Sequence, residues 1–299
     1  MIQKFLHIIF YIPLLSVVLS IGPKSVYVIQ NAALLSTSST GIAKNHYLNP
    51  ANLRNQSNYI SFSNNNLIYD LKGQKFSFVS SSSNNNFLFS FESMKSTNIP
   101  IYGNSSSDES SEGYFDSYWY ACEFGQNFNL NNFFKNTKDF SFGFKIRGSI
   151  YKLFTAKESD YSINLGFIKK INKQINLGFV VNNIGMKNGR NLYNQNFTLD
   201  SFEEFGIGIS YLSPNDTFSI LSDFYFRDDA LVQKFAVKTN FSMFNFSVGT
   251  TQIDRYKDFC YGLSINLNNL KIIYGYLVYG SNEQNTLGSP ASIQFSAQF

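Results

Sequence analysis

The chain has 299 residues, a formal net charge of +4, and only 15% charged residues, the 24 Lys and Arg interspersed with 20 Asp and Glu. That balance is too small and too scattered for a nucleic-acid footprint. Aromatics reach 17%, with 32 Phe and 19 Tyr, yet mean hydropathy is −0.15, and no segment after the N-terminus approaches the run of about 18 apolar residues that a membrane helix needs.

The N-terminus reads as a secretory signal over residues 1–22. Lys4 precedes an apolar stretch from Phe5 to Leu19, broken only by His7, Pro13 and Ser16, and Ser20 and Gly22 offer small residues for cleavage. At about 15 residues the stretch is short of the roughly 20 that span a bilayer. Residues 23–57 lack a strand pattern and are expected to form a plug. Within them Asn49-Pro50 marks a turn, because Pro fixes its own φ and pushes the preceding residue out of helical geometry. Ala51 and Leu53 then supply an apolar contact ahead of the first strand.

From residue 58 to the end the pattern is period two. Phe140, Phe142, Phe144 and Ile146 point one way, and Ser141, Gly143, Lys145 and Arg147 the other. Tyr161 to Phe167, Ile175 to Val181, Phe205 to Tyr211, Phe244 to Val248, Phe259 to Ile265 and Leu270 to Val278 repeat it. The expected strands are 58–67, 73–82, 85–94, 115–126, 138–151, 159–171, 174–184, 202–212, 216–227, 231–242, 244–252, 258–267, 270–280 and 289–299. The last strand puts Ala291, Ile293, Phe295, Ala297 and Phe299 on one face and ends on an aromatic ring, the form of an assembly signal read by the barrel-assembly machinery. The fold class is therefore all-β: a transmembrane up-and-down antiparallel barrel of about fourteen strands with a short N-terminal plug. Lys145, Arg147, Asn164, Lys234 and Lys238 fall on faces assigned to the lumen.

Connection lengths add support. Turns such as Asn172-Lys173 and Asn268-Asn269 are tight, whereas Lys95 to Tyr114, Lys152 to Glu158, Gly185 to Ser201 and Ser281 to Gly288 read as long outer loops. The Ser-rich, acidic stretch Asn104 to Glu112 reads as a solvated loop, as do Asp228-Asp229 and Asp254. Cys122 and Cys260 fall on the fourth and twelfth expected strands, too far apart for a disulfide.

No catalytic constellation stands out. The histidines are His7, in the signal, and His46, the only candidate for a Ser–His–carboxylate triad. HExxH, CxxC and P-loop motifs are absent. No catalytic residue, cofactor or metal ligand is expected, and the chain reads as a non-enzymatic protein of the bacterial outer membrane, with outer-membrane lipids as its surroundings and no nucleic-acid partner.

Small residues over 31–43, followed by Asn49-Pro50-Ala51-x-Leu53, resemble the N-terminal segment of the PorV/PorQ-like outer-membrane proteins, within the wider FadL-like barrels. Ser and Thr stand where those proteins carry mostly Gly. Leu177-Gly-Phe-Val-Val-Asn-Asn-Ile-Gly185, and Ile273-Tyr274-Gly-Tyr276 through Leu287-Gly288 to Phe299, are similar to further motifs of that family. The resemblance implies a fourteen-stranded barrel with the N-terminal segment inside. It also implies a part in type IX protein secretion, with secreted cargo proteins and other secretion components as partners. The competing expectations are a FadL-like channel for hydrophobic small molecules and a purely structural barrel or adhesin. The polar residues assigned to the lumen weigh against the channel.

Overall fold

The computed structural model describes residues 31–67, 71–82, 86–101, 113–129, 139–153, 156–190, 196–200, 204–227, 230–253, 256–280 and 289–299. The expected signal, the loop 104–112 and the acidic residues 228–229 and 254 lie outside them.

Alternating side chains build strands β1 (Tyr59–Asn66), β2 (Lys72–Ser81), β3 (Asn86–Ile101), β4 (Gly113–Asn129), β5 (Phe140–Leu153), β6 (Ala156–Lys170), β7 (Ile175–Arg190), β8 (Asn196–Asp200), β9 (Glu204–Leu212), β10 (Phe218–Arg227), β11 (Ala230–Phe241), β12 (Phe244–Ile253), β13 (Tyr256–Leu267), β14 (Leu270–Val278) and β15 (Ala291–Gln298). Each pairs antiparallel with its neighbours, and β1 closes the sheet on β15 from Tyr59↔Gln298 to Asn66↔Ala291. β8 and β9 occupy one position between them. β9 pairs with β7 from Ile175↔Tyr211 to Asn182↔Glu204, and β8 takes over at Met186↔Asp200. The result is a closed fourteen-strand barrel, in which no edge is left to aggregate.

Alternation sorts the two faces. Ile60, Phe62, Phe89, Phe91, Phe124, Ile146, Phe179, Phe224, Phe235, Phe259 and Phe295 are exposed on the outside, whereas Ser61, Ser63, Lys75, Ser90, Glu92, Glu123, Lys145, Asp223 and Gln294 are buried on the inside. This inversion of the soluble-protein rule is what a wall between lipid and a polar lumen requires. Among the described residues no helix is long and apolar enough to cross a membrane; the strands do the crossing.

Three expected outer loops need correction. β3 runs on to Ile101, β5 and β6 are separated only by 154–155, and β7 continues to Arg190. Strand pairing across the hairpin outweighs the weak local pattern: Glu158, Asn188 and Gly189 read as loop residues yet pair in the β6–β7 ladder. The rule of long outer and short inner connections is accordingly weaker than the sequence implied. The two cysteines are free, Cys122 exposed on β4 and Cys260 buried on β13.

Residues 31–58 make a hoop along the inside of the wall. The short helix α1 (Ala32–Leu35), capped by Asn31, passes the backbone of Gly275 on β14. Ser36 passes Gly262 on β13 and Thr37 passes Gly249 on β12. Gly41, at φ +123, and Ile42 direct their N–H groups at the Asp223 carboxylate of β10, at 2.5 and 3.0 Å. Ile42 and Ala43 lie on Gly178 of β7 and Gly208 of β9, Asn49 on Gly166 of β6, and Pro50 on Gly143 of β5. The 3-10 turn Pro50–Asn55 then buries Leu53 with Tyr59, Val79 and Leu88 of β1, β2 and β3. The segment has traversed most of the barrel's inner circumference.

Glycine makes this approach possible. A Cβ at Gly178 would sit 2.8 Å from Ala43 Cα, and one at Gly275 2.8 Å from the Ala32 carbonyl oxygen, so the chain can lie on the wall only where side chains are missing.

Candidate functional site

Above the hoop, between it and the outer ends of the strands, lies a chamber of about 140 Å³. Leu34, Ser39, Tyr47 and Leu48 of the hoop contribute to its lining, and the rest is charged and amide side chains of the barrel wall. On the β2–β5 side, Lys75 pairs with Glu92, Arg147 with Glu92 at 3.0 Å and Lys145 with Glu123 at 3.2 Å. Lys145 also donates to the Tyr47 carbonyl at 2.7 Å, and Arg147 lies 5.0 Å from the Trp119 ring centre. Opposite, Arg227 holds Glu204 at 2.8 and 3.2 Å, and Asn182 donates to the same carboxylate at 3.1 Å. Such pairs hold their place because removing one partner strands a buried charge, a loss of about 3–5 kcal/mol.

A bulge shapes the third side. The β6–β7 register shifts between Ile163 and Leu165, Asn183 adopts φ +61, and its N–H donates to the Asn164 side-chain oxygen at 2.7 Å. The bulge re-aims backbone and side chains, and Asn164, Asn182 and Asn183 all line the chamber.

The residues singled out in the sequence take separate places. Lys145, Arg147, Asn164 and Lys234 line the chamber; Lys238 does not, and lies further down β11 within the fields of Lys44 and Lys271. Asn49 accepts from the Ala51 N–H at 3.0 Å and donates to the carbonyl oxygens of Phe167 and Phe179, at 3.1 and 3.3 Å. Pro50 opens the 3-10 turn, and Ala51 and Leu53 are buried. Phe299 is exposed, donates its N–H to the Asn58 carbonyl at 3.2 Å and stacks with Phe78 at 6.2 Å. His46 is packed under the chamber against the Tyr59 hydroxyl, which donates to Tyr47 at 3.1 Å. Burial, followed by the Lys145 and Lys75 ammonium groups, pushes the His46 imidazole down to about 3, so it is neutral at pH 7. Glu92, Glu123, Glu204, Asp223 and Tyr225 were missed. These side chains alternate with the outward Phe91, Phe124, Phe205, Phe224 and Phe226, and that alternation was the available signal.

No family model matches the chain, and no curated protein does. Solved structures do. The P. putida toluene transporter TodX matches with a TM-score of 0.65 at 9% identity, covering 90% of this chain and 98% of its own. The CymD monoaromatic hydrocarbon channel matches with a TM-score of 0.61 at 12% identity, covering 91% and 98%. At these identities the likeness carries the fold.

These matches overturn the secretion reading, because the neighbours that share the architecture from end to end are hydrocarbon channels. The motifs behind that reading have a packing explanation. Asn49, Pro50 and Ala51 lock the hoop to β5, β6 and β7, Leu53 packs it on β1, β2 and β3, and Gly178 gives it room, so they report a hoop inside a barrel rather than a way of handling cargo. The polar lumen that weighed against a channel is largely made of mutually paired charges. The chain shares the closed fourteen-strand barrel fold of TodX and CymD and is a β-barrel of the bacterial outer membrane.

Proposed function

We propose that this barrel is a channel admitting small, largely hydrophobic molecules about the size of one aromatic ring, with the hoop as its lumenal plug. One observation carries the reading: a chamber of about 140 Å³ bounded by the hoop, inside a closed barrel. By volume alone, roughly 150 Å³ is enough for one benzene ring. Support comes from TodX and CymD, described as a toluene transporter and a monoaromatic hydrocarbon channel, whose fold it shares. In this reading no secreted protein is needed as a partner.

Whole-cell uptake tests it. The barrel is expressed in a Gram-negative host that lacks such a channel, and initial uptake of labelled toluene is compared with cells making an unrelated barrel. A several-fold faster initial rate is expected. Equal rates would refute the proposal.

A further inference from the structure

Beneath the hoop, on the side closed by the tight turns, three lysines approach one another. Lys238 stands on the inward face of β11, in step with the buried Ala236, and Lys271 on the inward face of β14, in step with the buried Ile273. Lys44 hangs from the hoop, in a turn where its own N–H and that of Asn45 donate to the Gly41 carbonyl at 2.9 and 2.7 Å. The field of Lys271 falls on both Lys44 and Lys238, and that of Lys44 on Lys238 as well. None of the three lines the chamber.

These ammonium groups are short of counter-charge. Among the described residues none of them makes an ion pair or a hydrogen bond. The carboxylate whose field reaches the cluster is that of Asp216, in the turn between β9 and β10, and it reaches Lys44 alone. The wall beside them is neutral. Ser219 and Ser247 stand across from Lys238, and Asn266 and Ser296 across from Lys271, and residues directly opposite on antiparallel strands share a face. Lys44 is exposed and Lys238 and Lys271 are half-buried, so a solute entering from the tight-turn side can touch all three.

We infer that this cluster binds a free doubly charged oxyanion of the phosphate class, which bridges Lys44 of the hoop to Lys238 and Lys271 of the wall. Three ammonium groups against one carboxylate leave an excess of two positive charges, and a dianion balances it. Like charges gathered in a narrow lumen repel, and a bound anion turns that repulsion into attraction. Lysine receives such an anion as a point charge, and the Ser247 hydroxyl and Asn266 amide offer neutral donors beside it. Chloride carries half the charge and presents no set of separate acceptor oxygens to three donors. The bound oxyanion ties the hoop to β11 and β14, opposite the Asn49 to Ala51 contacts on β5, β6 and β7. The site lies on the other face of the hoop from the chamber and does not depend on the channel reading.

The test uses the full chain, folded in detergent micelles, with inorganic phosphate as probe at a pH where the dianion predominates. Phosphate is titrated by isothermal calorimetry against sodium chloride of matched ionic strength. Wild-type protein should show saturable one-site binding that chloride does not reproduce. Lys44→Gln, Lys238→Gln and Lys271→Gln should each weaken it about tenfold, the worth of one hydrogen bond to a charged group. Lys173→Gln removes the same charge from the exposed turn between β6 and β7 and should leave binding unchanged. Hydrogen exchange read by mass spectrometry checks the bridge: phosphate should slow amide exchange across residues 41–49 in wild type and not in Lys44→Gln. Absence of saturable binding to the wild type, or equal weakening by Lys173→Gln and Lys238→Gln, would overturn the site. Phosphate bound with unchanged exchange in the hoop would overturn the bridge.

Discussion

At the scale of single residues, the inward glycines decide more than the alternating pattern foretold. Phe140 to Arg147 reads correctly as a two-faced strand, with Ile146 exposed and Lys145 buried. The pattern says nothing of what lies against the inner face. Gly143 therefore reads as a polar-lumen position with room for a side chain, even a Lys. In fact a Cβ there would run into the Pro50 carbonyl, whereas at Gly148 its nearest neighbour is the Tyr161 ring at an ordinary 3.5 Å. Gly143→Ala should cost about 1–3 kcal/mol through overpacking, and Phe142→Lys about 2–4 kcal/mol if it lies near the membrane midplane. Gly148→Ala should cost little. Semi-native gels of unboiled protein measure this. The compact folded band should shrink for Gly143→Ala and Phe142→Lys and persist for Gly148→Ala, and equal behaviour of the two glycine variants would show that the hoop does not press on β5.

At the scale of elements, the fourteen barrel positions were legible because each strand must show lipid one face and the lumen the other, a constraint written residue by residue. The long tails of β3, β6 and β7 were not, since they are held by partner strands rather than by their own alternation. The hoop was legible only as a break in the pattern with a turn at Asn49-Pro50. Its path depends on contacts more than a hundred residues away, such as Asn49 to Phe167 and Gly41 to Asp223, which no local window contains. Cysteine chemistry can test that path. Cys260 Sγ lies 3.1 Å from Ser38 Oγ, so Ser38→Cys places two thiols within disulfide reach. Mild oxidation of the folded protein should yield an intramolecular 38–260 disulfide, detected by mass spectrometry of the digested chain. Two thiols still free, or a bridge to Cys122 instead, would place the hoop elsewhere.

At the scale of the whole molecule, the barrel class and its membrane were readable from composition and strand alternation together. The function was not, because motifs such as Asn49-Pro50-Ala51 and Gly178 are as readily explained by packing a segment against the wall as by secretion. The charged chamber was visible only in part, through Lys145, Arg147, Asn164 and Lys234, since their acidic partners come from strands far away in sequence. The account makes the hoop the element that sets what passes. Proteoliposome swelling with sugars of increasing size, for the wild type and a variant lacking residues 31–53, is its most direct test. The wild type should exclude a disaccharide, and the deletion variant, still folded as a heat-modifiable barrel, should admit it several-fold faster. Identical size profiles for the two proteins would contradict the account.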